Sequence, residues 1–479
     1  MKLLPSLPAS IWRLRPLSIS LLALTLAGCS LAPHLAKPDA PIPAAWSGPA
    51  VGEGTSFGLD ELVVDPVLCQ LIQSAVQNNR DLRQAMLNVD AARLRYRVQG
   101  AERLPTIEGR TSLLRSKSSI DDPSGNGRQV SEVYRSEAAV PSFEVDLWGR
   151  LRNLSDAAFA EYLAEEQNAQ SARLTLISEV MSVYVRRIGA LARFEAVSGT
   201  LAARQRTLDL LTLRRDAGAT SALELEDARG LTESAAADLE AVRRDVEHAN
   251  NALLLLTGLI ALPDMPQHAS DSPTSVVTRL AAGAPSELLY NRPDVRAAEH
   301  ALHARNADIG AARAAFFPRI SLTGEAGSLS GDLSGLFAGG RSFWNFLPSI
   351  QIPIFSGGRN RSNLELATVR KEIAIAKYEG TVQVAFREVA DALSTYQTLG
   401  RELSHRKALM ESSKVSLALS EQRQKSGLDS NLRYLDAQRV ALTNEVAFID
   451  ASTAMQVSIV QTFKALGGRW YQPATMPRS

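Results

Sequence analysis

The sequence predicts a membrane α+β protein built from two copies of one unit, in which a β-barrel shared among chains continues into a barrel of long coiled-coil helices. Three observations predict it. Residues 218–229 (GATSALELEDAR) align at a constant offset with residues 427–438 (GLDSNLRYLDAQ), placing Gly218 on Gly427, Ser221 on Ser430, Leu223 on Leu432 and Asp227 on Asp436. A chain that makes the same turn twice is a duplicated unit. Hydrophobic spacing switches from helical to alternating after Pro105 and again after Pro318. Finally, residues 151–215 and 361–425 read as helix without a proline, about 65 residues each and roughly 100 Å long at 1.5 Å per residue.

The N-terminus reads as a secretory signal. Lys2, Arg13 and Arg15 precede an apolar run at 17–26, too short for a membrane-spanning helix. It ends Leu26-Ala27-Gly28-Cys29, the pattern of a bacterial lipobox. Cys29 would then carry a diacylglycerol on its thiol and an acyl chain on its amino group. Ser30 rather than Asp follows it, and resemblance to bacterial lipoproteins then favours the outer membrane. The formal charge is +1, and loss of those three cations leaves 49 against 51 acidic residues, net −2. Such a balance does not suit a nucleic-acid partner. With Cys29 lipidated, Cys69 has no disulfide partner and reads as a small apolar packing residue.

Residues 30–60 hold Pro33, Pro38, Pro41, Pro43 and Pro49 and read as an extended tether. From Pro66 to Gly100 apolar residues recur at helical spacing, with a counterpart at 285–316. In the first alternating stretch Ile107, Gly109, Thr111 and Leu113 oppose Thr106, Glu108, Arg110 and Ser112. In the second, Ile320, Leu322, Gly324 and Ala326 oppose Arg319, Ser321, Thr323 and Glu325. These are strands with one apolar and one polar face. Return strands are expected at 141–147 and 349–354, across loops at 116–129 and 330–341. Trp148, Phe343, Trp344 and Phe346 fall near strand ends, where an aromatic girdle meets the membrane interface.

Four strands of about ten residues cannot close a barrel, and open edges are not tolerated in hydrocarbon. Two chains would give eight strands and a filled interior; three give twelve and a wet lumen. A cyclic trimer is the expectation. The helices that return from the repeated turns carry apolar residues at 3,4 spacing, for example Leu225, Ala228, Thr232, Ala235 and Leu239, suited to packing side by side in a cylinder.

The reading thus divides the chain into a signal peptide (1–28), a lipid-anchored extended tether (29–62) and a first repeat (63–258) with a β-hairpin at about 104–148 and a tip turn at 215–222. A linker (259–284) follows, then a second repeat (285–468) with a hairpin at about 318–356 and a tip turn at 425–431, and a C-terminal tail (469–479).

The lipobox, the duplicated order of helix, hairpin, long helix, Gly turn and return helix, the VDLWGR and PIFSGGR strand ends and LDAQR together resemble the outer-membrane efflux channels of the TolC and OprM type, in their NodT-like lipoprotein branch. The resemblance covers about residues 35–470. It implies a trimer whose outer-membrane β-barrel continues into a periplasmic helical barrel, closed at its tapered tip at rest. It implies an apolar constriction at Leu432, an acidic ring at Asp436, and a cation at Arg439 tying neighbouring helices shut. Arg433 stands where some relatives carry a second acidic residue. The tips, with Gly218, Ala219, Thr220, Gly427, Leu428 and Asp429, would meet a periplasmic adaptor protein, and an inner-membrane pump of the RND type would supply the energy.

No phosphate loop, nucleotide fingerprint, GxSxG elbow or HExxH occurs, so no enzyme chemistry is expected. His300 and His303 lie one turn apart beside Glu299 without a third ligand, and neither metal nor cofactor is expected beyond the lipid on Cys29. The predicted function is a passive exit duct for small molecules. The alternatives are the outer-membrane channel of a type I protein secretion system and a non-conducting structural lipoprotein.

Overall fold

The computed structural model describes residues 30–36, 38, 42–43, 59–117, 130–269 and 292–468. The signal segment 1–28, Cys29, most of the tether, the loop 118–129, residues 270–291 and the tail 469–479 lie outside the described residues. The elements are, in order, α1 (Leu59–Leu62), α2 (Pro66–Asn78), α3 (Arg80–Ala101), β1 (Glu108–Lys117), β2 (Val130–Val145), α4 (Arg150–Asp216), α5 (Ala222–Thr257), α6 (Pro293–Ala314), β3 (Arg319–Ser330), β4 (Ser342–Gln351), α7 (Arg359–Lys425) and α8 (Asn431–Ala465). Among them α4 and α7 are unbroken helices of 67 residues each. No described helix is long and apolar enough to cross a membrane.

Two compact units emerge. One comprises Asp90–Ala164 and Glu299–Lys377 with the described residues up to Pro38. It holds an antiparallel sheet in the order β1-β2-β3-β4, so that among the described residues β1 and β4 are each paired on one side only. The register divides its side chains into two faces. Across the strands, Arg110 pairs with Glu137, and Glu137 with Gly327, which faces Phe343. Glu108, Ser112, Arg135, Glu325 and Asn345 share that polar face by the period of two. The opposite face carries Leu113, Tyr134, Phe143, Ile320, Leu322, Trp344, Phe346 and Ile350. Register breaks between Val140 and Phe143, where Pro141 has no N–H for the ladder.

The return strands are longer and lie earlier than alternation alone predicts. β2 begins at Val130 rather than 141, and β4 ends at Gln351, leaving Ile352 and Ile354 exposed beyond it. Residues 30–33 lie against α4 and α6. Ser30 Oγ donates to Asn153 Oδ1 at 2.7 Å, Asn306 Nδ2 to the Pro33 carbonyl at 2.9 Å and Arg313 Nη1 to the Leu31 carbonyl at 3.1 Å.

The other unit comprises the described residues of Asp39–Val89, Glu165–Ala298 and Tyr378–Ser479. Its core joins Leu68, Leu71 and Ala75 of α2, Val180, Met181 and Tyr184 of α4, Leu253 of α5, and Ile459, Val460 and Phe463 of α8, with Cys69 packed at its edge. Full burial of a Val, Leu, Ile or Phe side chain contributes about 1.5–3 kcal/mol. Asp65 caps α2, accepting from Val67 N at 2.8 Å, and also accepts from Tyr184 Oη at 2.6 Å. Gly258 ends α5 at φ 66°, and a Cβ there would stand 2.6 Å from the Asn78 carbonyl, so glycine is required by both dihedral and space.

Candidate functional site

The two repeated turns close by the same backbone device. Arg214 and Arg423 lie in the last turns of α4 and α7, and Gly218 and Gly427 follow at φ 73° and 72°. Ala219 N donates to the Arg214 carbonyl at 2.7 Å and Gly218 N to that of Arg215 at 2.9 Å. In the second turn Leu428 N donates to the Arg423 carbonyl at 2.9 Å and Gly427 N to that of Gln424 at 3.0 Å. This is the Schellman pattern, whose left-handed position favours glycine. Open space surrounds both glycines, so the dihedral alone demands them.

The helices that follow start differently. Ser221 and Glu224 form a capping box at the head of α5, and Thr220 adds its hydroxyl to the Glu224 carboxylate. Ser430 makes no such bond at the head of α8. There Asp429 is gripped instead, by Arg423 Nε at 2.7 Å and Nη2 at 3.2 Å, with Arg433 at 3.8 Å. The hydrogen-bonded Arg423 holds the Asp429 carboxyl below the usual carboxylate range. Thus Asp429, expected as a contact residue, keeps only 10 % of its side chain exposed, while Leu428 is 68 % exposed.

Leu432 is exposed on α8. Asp436 and Arg439 pair within the same helix, Oδ1 to Nη2 at 2.7 Å. Their neighbours face inward: Leu435 is buried with Leu211 of α4 and Ala228 of α5, and Gln438 donates to Tyr434 Oη at 2.7 Å while its own Oε1 is buried with no hydrogen-bond partner among the described residues. Sequence reading missed the Arg423–Asp429–Arg433 grip and the Tyr434–Gln438 pair. An acid flanked by arginines at −6 and +4 across a glycine turn was the available signal for the first.

In the sheet-bearing unit the four aromatic residues occupy three settings. Trp344 and Phe346 stand on the apolar face, 78 % and 57 % exposed. Phe343 lies on the polar face with the Arg135 guanidinium 4.7 Å above its ring. Trp148 follows β2, stacked 4.7 Å from Phe317 and donating Nε1 to the Pro318 carbonyl at 2.9 Å. Arg135 also binds Glu325 at 2.7 Å and Glu137, tying β2 to β3. Among the described residues no group of three His, Cys, Asp or Glu comes together to hold a metal.

The two-faced sheet and the 67-residue helices are the features compared with known proteins. The chain belongs to the outer membrane efflux protein family, whose model matches residues 71–259 and 284–468. Outer membrane protein OprJ of Pseudomonas aeruginosa is 47 % identical over 459 residues, 95 % of each chain. The solvent efflux pump outer membrane protein SrpC of Pseudomonas putida is 41 % identical over 457 residues, 93 % of this chain and 97 % of its own. Among solved structures, a membrane protein from Pseudomonas aeruginosa superposes with TM-score 0.86 at 46 % identity, covering 92 % of this chain and 98 % of that one. The open state of the MtrE channel of Neisseria gonorrhoeae gives 0.83 at 34 %, with the same coverage of each.

Proposed function

We propose that three copies of this chain form the outer-membrane exit duct of a tripartite efflux pump, passing small molecules delivered by a periplasmic adaptor and an inner-membrane pump of the RND type. The observation that carries the reading is the sheet: among the described residues β1 and β4 are paired on one side only, and hydrocarbon does not tolerate an unpaired edge. Three copies joined β1 to β4 close twelve strands around a lumen lined by the Glu108, Arg110, Arg135, Glu137 and Glu325 face, with Trp344 and Phe346 toward lipid. The relatives' names as outer-membrane components of efflux pumps support the partners. Cys29 carries the diacylglycerol and N-acyl lipid that add a second hold on the membrane.

In the duct the second tip is the gate. Leu432 narrows it, three Asp436 carboxylates repel one another and draw cations, and Arg439 restrains neighbouring helices until the partners bias α8 toward a second packing. The turns at Gly218–Ala219–Thr220 and Gly427–Leu428–Asp429 present the adaptor contacts. Leu428 is the exposed apolar element of that surface, and Asp429, held by Arg423, shapes the turn beneath it. The chain holds no energy-coupling chemistry in this account; the duct is passive.

Native mass spectrometry of the detergent-purified protein tests the central step. Three chains per complex is the expected result, and a monomer as the main membrane-extracted species would contradict it.

A further inference from the structure

Composition reads the stretch after Cys29 as a slack tether, yet residues 30–33 lie in a groove lined by buried amides. Asn153 of α4 and Asn306 of α6 are 1 % and 7 % exposed. The first accepts from Ser30 Oγ at 2.7 Å, the second donates Nδ2 to the Pro33 carbonyl at 2.9 Å, and Arg313 donates Nη1 to the Leu31 carbonyl at 3.1 Å. Asn306 Oδ1 has no hydrogen-bond partner among the described residues, so its amide serves the segment rather than the packing of the helices. Gly310 lies between the two α6 donors. A Cβ there would stand 2.8 Å from Ala32 N and 2.7 Å from Asn153 Cγ, so the backbone of the segment rests directly on that of the helix.

Asn306, Gly310 and Arg313 share one face of α6 by their spacing of four and three. The first repeat carries different residues there. With Asp81 of NRD (79–81) set on Asp294 of NRPD (291–294), Arg93 falls on Asn306 and Arg97 on Gly310. The groove is therefore a specialisation of one copy, and it has a direction. α6 leads into β3 at Arg319; Leu31 is held by Arg313 near that end and Pro33 by Asn306 about two turns earlier. Residues 30–33 thus run antiparallel to α6, with residue 30 toward the sheet and bound to Asn153 in the first turn of α4. All of these residues belong to the sheet-bearing unit, Asn153 coming from the first repeat and the α6 residues from the second.

We propose that Asn153, Asn306, Gly310 and Arg313 form a binding site for the extended N-terminal segment, which splints the two repeats at the foot of the sheet and presents Cys29 at its rim. The segment is recognised by its backbone carbonyls, by a hydroxyl at position 30 and by the small residue at 32. A slack chain of about 30 residues spreads its ends by roughly 30 Å, whereas a seated one keeps residue 29 within about 3.8 Å of Ser30, Cα to Cα. The lipid then enters the bilayer at one fixed place beside the sheet. That last step rests on the lipid reading above; the seat and the splint do not.

A nitroxide on His34→Cys in a Cys69→Ser background reads the seat, since residue 34 is exposed just beyond it. It is recorded with Cys29 in place and with Cys29→Ala behind a signal peptide that directs no lipidation. Gly310→Ala raises helix propensity, so α6 still forms, but its methyl meets the Ala32 backbone. Asn306→Ala with Arg313→Ala removes both carbonyl bonds without adding bulk. Hydrogen exchange at Val145 and Ile320, paired at the foot of β2 and β3, reads the splint. The label should be immobile in the parent and stay so with Cys29→Ala. Both groove variants should shorten its rotational correlation time at least about threefold and speed exchange at the foot by a similar factor. A label mobile in the parent, or unmoved in both groove variants, overturns the site. A label freed by Cys29→Ala alone makes the lipid the holder and overturns it too. A freed label with unchanged exchange at the foot overturns the splint. A mature mass without lipid overturns only the delivery of the lipid, and the label and the exchange still decide the seat and the splint.

Discussion

Asp436 and Arg439 face one another one turn apart on α8, Oδ1 2.7 Å from Nη2, with 60 % and 57 % of their side chains exposed. An exposed pair of this kind contributes roughly 0–1 kcal/mol to stability. Asp436→Ala and Arg439→Ala should therefore shift the denaturation midpoint by no more than that, while under the proposed gate they should raise conductance strongly. Parallel melting and bilayer measurements check the dissociation, and a large loss of stability with unchanged conductance would assign the pair to structure alone.

Glycine at the tips answers a dihedral, and Gly258 answers a dihedral and a clash. Gly218→Ala and Gly427→Ala should each cost about 1 kcal/mol and weaken adaptor binding by deforming the turn. Gly258→Ala should cost more, because its methyl meets the Asn78 carbonyl. Thermal unfolding of the three variants, with adaptor affinity for the first two, tests the order.

Tyr184→Phe deletes the 2.6 Å bond to Asp65, which is 9 % exposed. Leaving a buried carboxylate short of a donor costs about 1–3 kcal/mol, readable as a lowered chemical-denaturation midpoint. Asp65→Ala should cost at least as much, since it also removes the cap of α2.

The second tip should be insensitive to mild acid. Arg423 depresses the folded-state pKa of Asp429, so the grip is complete above the unfolded value of about 3.9 and is lost only as pH falls through the lower folded value. A spin label at position 428 should keep its mobility from pH 7 to pH 5 and loosen below about 4. Arg423→Ala should loosen it at every pH, and a label already mobile at pH 7 in the parent protein would contradict the grip.

Much of this was legible along the chain because it depends on neighbours. Gly218 and Gly427, each followed three residues later by a serine, are the turns they read as, and the alternation at 319–326 lies within β3. The first two-thirds of β2 were hidden for a physical reason. Val133 sits on the polar face and Glu132 on the apolar one, where Arg115 neutralises it at 3.0 Å, so the expected alternation is inverted. Contacts set by the fold left no local trace: Asp65 and Tyr184 are 119 residues apart, and Gly189 reads in sequence only as a weak point in a helix until Thr453 is seen against it. Residues 30–33 looked extended from their composition, but nothing in composition shows that Asn153, Asn306 and Arg313 hold them.

The proposed lipidation of Cys29 makes a direct chemical prediction. The mature protein should begin at Cys29 and carry the mass of a diacylglycerol and an acyl chain, and Cys29→Ala should remove that mass without removing the channel from detergent-extracted membranes. An unmodified mature N-terminus would overturn the assignment.

Single-channel recording in a planar bilayer tests the central claim most directly. The gated duct predicts that the parent protein is mostly closed and cation-selective when open, and that Asp436→Ala with Arg439→Ala conducts steadily. A folded trimer that conducts in neither form would contradict the duct and leave residues 432–439 as an ordinary helix start.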